Sequence, residues 1–263
     1  MDQPLAKKSL GQHFLTCDWA LPAIIDAAAI SPSDTVLEIG PGTGVLTRAL
    51  AVRAKRVIAI EKDEALARAL VQNLKSEGIT NVEIREGDIL LDMPTFIEPY
   101  KVVANIPYYL TARLLRLLLE EQTHKPTTVA LMIQKEVAER IVSQPPHENL
   151  LAIAVQVFGT PSIVKIVPAS CFSPKPKIDS AIIAISDISN NFFTRHHIKP
   201  EAFFTVLRLG FSQKRKMLTN SLSTGTDKKT ISDAFAALGI NPKARPEELT
   251  LDQWAQLANV LQQ

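Results

Sequence analysis

The nine residues Val36-Leu37-Glu38-Ile39-Gly40-Pro41-Gly42-Thr43-Gly44 limit what this chain can fold into more than any other stretch. Val36, Leu37 and Ile39 read as a short buried strand. Three glycines at alternate positions then predict a tight turn whose bare backbone lets a ligand approach closely. Val45, Leu46, Ala49 and Leu50 recur at helical spacing and give the next segment a buried stripe. The spacing is G-x-G-x-G, which differs from the dinucleotide fingerprint G-x-G-x-x-G, and no Walker lysine follows. A phosphate-cradling loop is therefore not expected.

A carboxylate narrows the choice. Residues 56–60 read as a second strand, and Glu61 stands at its carboxyl end, 21 positions beyond Gly40. Open α/β sheets bind ligands outside the carboxyl ends of their strands. A carboxylate placed there can accept hydrogen bonds from both hydroxyls of a ribose. NAD and S-adenosylmethionine (SAM) both remain candidates at this point.

The same strand-then-helix pattern repeats. Residues 82–85, 101–104 and 128–133 read as strands; the first ends in Glu86-Gly87-Asp88-Ile89, and the other two are followed by segments of helical spacing. Residues 163–167 and 180–185 read as two strands with no helix between them. The expected fold is α/β: a Rossmann-like, mostly parallel sheet with one antiparallel edge strand. From about Asn190 the strand signal stops. Phe203, Phe204, Leu207 and Phe211, then Ile231, Phe235 and Leu238, then Leu251, Trp254, Leu257 and Leu261 keep helical spacing. The expected domains are therefore 1–189, an α/β ligand-binding domain, and 190–263, a small all-helical one.

A chain of 263 residues with 46% apolar content suffices for that pair of domains. The net charge of +2 excludes a polycation, but residues 190–263 hold 10 Lys+Arg against 6 Asp+Glu. A polyanion contact is expected there. Cys17 and Cys171 have neither metal-ligand spacing nor a disulfide framework and read as two reduced thiols of a cytoplasmic protein. No metal site is expected. No apolar run follows Lys7 and Lys8, and the longest one, residues 150–158, is short and carries Gln156. Neither a secretory signal nor a membrane span is expected.

Two further strand ends carry chemistry. Asp88, in Glu86-Gly87-Asp88, can accept from an adenine amino group or cap a turn. Asn105-Ile106-Pro107-Tyr108 follows the fourth strand and suits methyl transfer to an exocyclic amine. Such a nitrogen is a poor nucleophile, because its lone pair is delocalised into the purine ring. The Asn105 amide oxygen and the Ile106 carbonyl can accept its N–H groups and free that lone pair. Pro107 fixes the backbone that presents the carbonyl. Tyr108 can stack on the base. The amine gains positive charge as it attacks a sulfonium methyl, so no strong general base is required.

With these motifs in order, the chain resembles the small-subunit ribosomal RNA adenine dimethyltransferases, the KsgA/RsmA family. The resemblance runs from Ser9-Leu10-Gly11-Gln12-His13-Phe14-Leu15 to Phe211-Ser212-Gln213-Lys214-Arg215-Lys216. It implies a SAM-dependent enzyme that converts two adjacent adenosines near the 3′ end of 16S rRNA to N6,N6-dimethyladenosine, with a role in ribosome biogenesis. It implies cofactor contacts at His13, Leu15, Gly40, Gly42, Glu61, Asp88 and Asn105. It makes the N-terminal segment, residues 1–16, a flap over the cofactor, and Phe172 a second aromatic that sandwiches the target base with Tyr108. Arg208, Lys214, Arg215 and Lys216 become the expected RNA contacts.

The implied partner is 16S rRNA in the immature 30S subunit, met by a monomer. Two departures stand out: His13 occupies a position where the family often has Asn, and residues 147–151 depart from the usual Tyr-Gly-Arg-Leu-Ser-like segment. The alternatives are a 23S rRNA adenine dimethylase and a ribosome-assembly factor without catalysis.

Overall fold

A computed structural model of the protein describes residues 13–213 and 216–261. Residues 9–12 of the N-terminal motif, and Lys214 and Arg215 of the basic cluster, lie outside the described residues.

In chain order the elements are β1 (Phe14–Leu15), α1 (Ala20–Ala27), β2 (Thr35–Ile39), α2 (Val45–Arg53), β3 (Arg56–Glu61), α3 (Glu64–Ser76), β4 (Val82–Glu86), β5 (Tyr100–Asn105), α4 (Thr111–Arg116), β6 (Thr128–Gln134), α5 (Lys135–Ile141) and α6 (Leu150–Gln156). They continue with β7 (Thr160–Val167), β8 (Phe172–Ser173), β9 (Ser180–Ser186), α7 (Asn191–Arg195), α8 (Pro200–Gly210), α9 (Leu218–Leu222), α10 (Lys228–Ala237) and α11 (Leu251–Leu261).

Seven strands form one sheet in the order β4-β3-β2-β5-β6-β9-β7. The first five are parallel. The antiparallel edge is a hairpin: β9 opposes β6 on one side and the outermost strand, β7, on the other. Helices cover both faces of a parallel sheet, so its central strands read as near-continuous apolar runs. Val102, Val103 and Ala104 of β5 and Val129 to Ile133 of β6 are completely buried accordingly. The strand order reverses at β2, with β3 to one side and β5 to the other. That reversal opens a crevice at the carboxyl ends of these strands.

The helix after β3 has a side-chain N-cap. Asp63 accepts from the Ala65 and Leu66 N–H groups as an N-cap. Ala67, Leu70 and Leu74 of α3 then turn inward.

The residues divide into two compact units, Met1–Glu139 with Thr160–Ile188, and Arg140–Gly159 with Ser189–Gln263. This differs from a continuous division at residue 189. The excursion between β6 and β7 carries α6, whose neighbour Phe158 stacks on Phe204 and tilts against Phe193. Apolar surface on α6 is thereby buried inside the helical unit rather than on the sheet. Within that unit Gly210 lets α8 approach α11, because a Cβ there would lie 2.4 Å from the Trp254 ring.

The reading of Cys17 and Cys171 as two reduced thiols is corrected. They form a disulfide, with Cα atoms 5.0 Å apart and 154 residues between them in sequence. Their proximity comes from a two-stranded antiparallel sheet in which Phe14 pairs with Ser173 and Leu15 with Phe172. Neither strand announces itself in the sequence, since each has two residues.

Among the described residues, no helix is long and apolar enough to cross a membrane. Among the same described residues, no group of three His, Cys, Asp or Glu side chains is placed to hold a metal ion.

Candidate active site

The crevice lies within the sheet unit, and its walls come from strand ends. The glycine turn after β2 is its floor. Gly42 and Gly44 both have positive φ, +56° and +80°, where side chains are strained. At Gly44 space is also denied: a Cβ would lie 2.2 Å from Leu70 Cδ1. At Gly42 it would press on the Phe14 ring at 3.3 Å. The turn can therefore lie close both to α3 and to the N-terminal strand.

Glu61 holds this turn in place. One carboxylate oxygen accepts from the Gly42 N–H at 2.9 Å, and the other from the Asp63 N–H at 2.8 Å. Glu61 is buried, yet each oxygen keeps a second lone pair for a ligand hydroxyl.

Asp88 stands across the crevice at the end of β4. Its Oδ1 accepts from the Leu90 N–H, and its Oδ2 pairs with the Lys62 ammonium at 2.7 Å. The Lys62 ammonium holds the Asp88 carboxyl below its ordinary range, so it stays ionised. Asp88 thus caps the following turn and also lines the crevice.

The Asn105–Tyr108 motif forms the facing wall. Asn105 ends β5, and its Nδ2 donates to the His13 carbonyl at 3.4 Å. That contact turns the amide oxygen away from the N-terminal segment. Ile106 is buried, and Pro107 sits at φ −56° and ψ 134°, which holds the backbone extended before the Tyr108 turn. The Tyr108 hydroxyl shares a hydrogen bond with Ser180 Oγ at 2.8 Å, and burial pushes its pKa up. The ring is thereby fixed as a neutral platform. Phe172, on β8, is nearly completely buried and lines the same crevice.

His13 does more than stand in for an Asn. Its Nδ1–H donates to the Pro174 carbonyl at 2.7 Å, and its ring stacks near Tyr108 with centroids 5.8 Å apart. His13 thus joins the N-terminal segment to the Phe172 loop. Leu15 and Phe14 close the same side.

Three contributors escaped the sequence reading. Glu38, inside the first motif, is 1% exposed, and its Oε2 has no hydrogen-bond partner. Burial pushes its carboxyl up to about 8, and the neighbouring Glu61 charge acts in the same direction. A lone carboxylate between Leu37 and Ile39 in a buried strand was the available signal. Lys62 and Ser180 gave none, because their partners are distant in sequence.

The expected RNA contacts belong to the helical unit. The Arg208 guanidinium lies over the Phe204 ring, 5.2 Å from its centroid, and Lys216 is exposed. In the departing segment, Asn149 caps α6 and Glu148 is buried with neither oxygen hydrogen-bonded. Its backbone serves the unit's own packing, donating to Glu247.

A parallel sheet with this strand order, a glycine turn and carboxylates at successive strand ends define a Rossmann-like, SAM-dependent methyltransferase. The chain belongs to the ribosomal RNA adenine dimethylase family, whose model matches residues 4–263. It is 40% identical over 258 residues to ribosomal RNA small subunit methyltransferase A of Dehalococcoides mccartyi, covering 96% of this chain and 87% of that one. The counterpart of Rippkaea orientalis is 37% identical over 273 residues, with 98% of each chain covered. Among solved structures, a dimethyladenosine transferase from Plasmodium falciparum superposes with a TM-score of 0.80 at 30% identity, over 93% of this chain and 96% of that one. The 23S rRNA methyltransferase ErmE superposes with a TM-score of 0.74 at 28% identity, over 95% and 100%.

Proposed function

We propose that the chain dimethylates N6 of two adjacent adenosines near the 3′ end of 16S rRNA. Its partner is the immature 30S subunit, its setting is the cytoplasm and ribosome biogenesis, and it works as a monomer. The observation that carries this reading is one crevice bounded by Glu61, Asp88, Asn105–Tyr108 and Phe172. The near full-length similarity to small subunit methyltransferases supports the choice of RNA.

The residues fit the methyl donor. SAM carries a sulfonium and an ammonium, and three carboxylates, Glu38, Glu61 and Asp88, line the crevice. Glu38 Oε2 is buried without a hydrogen-bond partner, and a cationic ligand beside it favours the ionised form that burial otherwise disfavours. Glu61 is assigned to the ribose hydroxyls and Asp88 to the adenine amino group, with Gly40 and Gly42 giving backbone clearance. His13, Leu15 and Asn105 close the cofactor side. When bound, the donor supplies an electrophilic methyl group.

The chain's own residues prepare the nucleophile. Tyr108 and Phe172 hold the target base between them. The Asn105 Oδ1 and the Ile106 carbonyl accept the two N6–H groups and draw the nitrogen towards tetrahedral geometry. The lone pair freed in this way would be the nucleophile for the methyl group that a bound donor would supply. The proton left on nitrogen passes to water. A second turnover places the second methyl group.

Incubation with isotope-labelled SAM and immature 30S or 50S particles, followed by mapping of the label, tests this reading. Label on two adjacent adenosines near the 3′ end of 16S rRNA is expected. Label confined to 23S rRNA would transfer the assignment to the large subunit, and no label on either particle would point to an assembly factor.

A further inference from the structure

The geometry points to Cys17–Cys171 as a reversible thiol–disulfide modification site that sets how tightly the crevice holds its cofactor. The inference rests on the reading of Phe14–Leu15 as a cofactor flap and adds a covalent control to it.

The disulfide joins the two edges of one small device. Cys17 follows β1 by two residues, and Cys171 immediately precedes β8. Between the strands there are two residue pairs, Phe14 with Ser173 and Leu15 with Phe172. The Thr16 N–H adds a bond to the Cys171 carbonyl at 2.8 Å. A two-stranded ladder this short is marginal by itself in water. Ordering its residues also costs backbone entropy. A crosslink removes much of that cost by closing a long loop in the chain, here one spanning 154 residues of sequence.

What the ladder positions is the wall of the crevice. Phe14 rests against the Gly42 turn, Leu15 and Phe172 line the cavity, and the His13 carbonyl orients the Asn105 amide. In the oxidised chain this wall exists before the cofactor arrives. In the reduced chain the flap must order as the cofactor binds, and the affinity falls by the cost of that ordering.

The chemistry is thiol–disulfide exchange with a small dithiol. Cys171 is almost completely buried and Cys17 is half-buried, so Cys17 is the more exposed residue of the pair. A dithiol thiolate attacks Cys17 Sγ, the S–S bond breaks, and the Cys171 thiolate leaves and takes a proton. The second thiol of the reductant attacks the mixed disulfide, closes its own ring and releases the Cys17 thiolate. Two electrons pass from the dithiol to the protein. A low-molecular-weight disulfide reverses the sequence.

The test uses the full chain, oxidised with a small disulfide or reduced with a dithiol. Thiols are counted after denaturation, and the affinity for S-adenosylhomocysteine is measured by calorimetry. The expected count is zero in the oxidised chain and two in the reduced one. The dissociation constant should rise at least threefold on reduction. Cys17→Ser should show the weaker affinity under both conditions, and Cys17→Ala, which keeps no polar group, should match it. Two free thiols in the oxidised chain would overturn the inference. So would equal affinities in the two states, with the cofactor reading left standing. No binding in either state would remove the flap reading and this inference together.

Discussion

Asn105 separates binding from chemistry at the scale of one residue. Its Nδ2 is engaged by the His13 carbonyl, which leaves the amide oxygen for the amine. An acceptor that strengthens its hold as the nitrogen becomes tetrahedral lowers the barrier more than it tightens the substrate. Asn105→Ala should therefore slow single-turnover methylation by about 10²–10³-fold at saturating SAM, comparable to loss of one preorganised polar contact. Binding of 30S particles should hold if, as proposed, phosphate contacts of the helical unit dominate it. A near wild-type rate under these conditions would reduce Asn105 to a turn residue. Glu38 illustrates the limit of sequence reading at this scale. Its place in the motif was plain, but its burial beside Glu61 depends on how strands β2 and β3 pair. Periodicity in one strand carries no such information.

The glycine turn, as an element, links the ligand crevice to α3. Gly44 combines φ +80° with a Cβ position 2.2 Å from Leu70 Cδ1. Gly44→Ala should destabilise the fold by about 1–3 kcal/mol, from overpacking and the left-handed backbone together. Thermal unfolding would measure it, and an unchanged midpoint would mean that α3 slides away freely. The segment linking α8 to α9 makes a different prediction. Alanine at Lys214, Arg215 and Lys216 should weaken binding to 30S particles and flatten its salt dependence, with S-adenosylhomocysteine affinity unchanged. An unaltered salt slope would make the cluster a solvated face. All seven long strands were legible, the buried ones as apolar stretches such as residues 57–60 and 129–133, and β4 by its alternation of apolar and charged residues. The two-residue strands β1 and β8 were not, and the disulfide went unread with them. A pairing made by two residues leaves no period to detect.

Two buried carboxyls shape the behaviour of the whole molecule with pH. Glu38 in the sheet unit is pushed up to about 8 and Glu148 in the helical unit to about 7, from an ordinary 4.5, in both cases by burial. The folded chain thus keeps protons that the unfolded chain releases above pH 4.5. Their contribution to stability is complete below that pH and is lost as pH rises through 7 and 8. Each group sets a slope of at most about 1.4 kcal/mol per pH unit in its window. The ligand-free protein should therefore melt at progressively lower temperature from pH 5 to pH 8. Glu38→Gln and Glu148→Gln should each flatten that decline, and a flat wild-type profile would show that both carboxyls are solvated.

The helical unit takes its first segment, Arg140–Gly159, from between two strands of the sheet. Synthesis on a ribosome gives this arrangement a timetable. Residues 150–156 emerge well before residues 200–210, which carry Phe204, the ring on which Phe158 stacks. The apolar side of α6 must wait, uncovered, while β7 and β9 are made and join the sheet. No cut at one peptide bond releases either unit whole. A fragment beginning at residue 189 lacks α6, and one ending at 188 leaves α6 without its cover. The nascent chain is thus most exposed to aggregation in the interval between these two lengths.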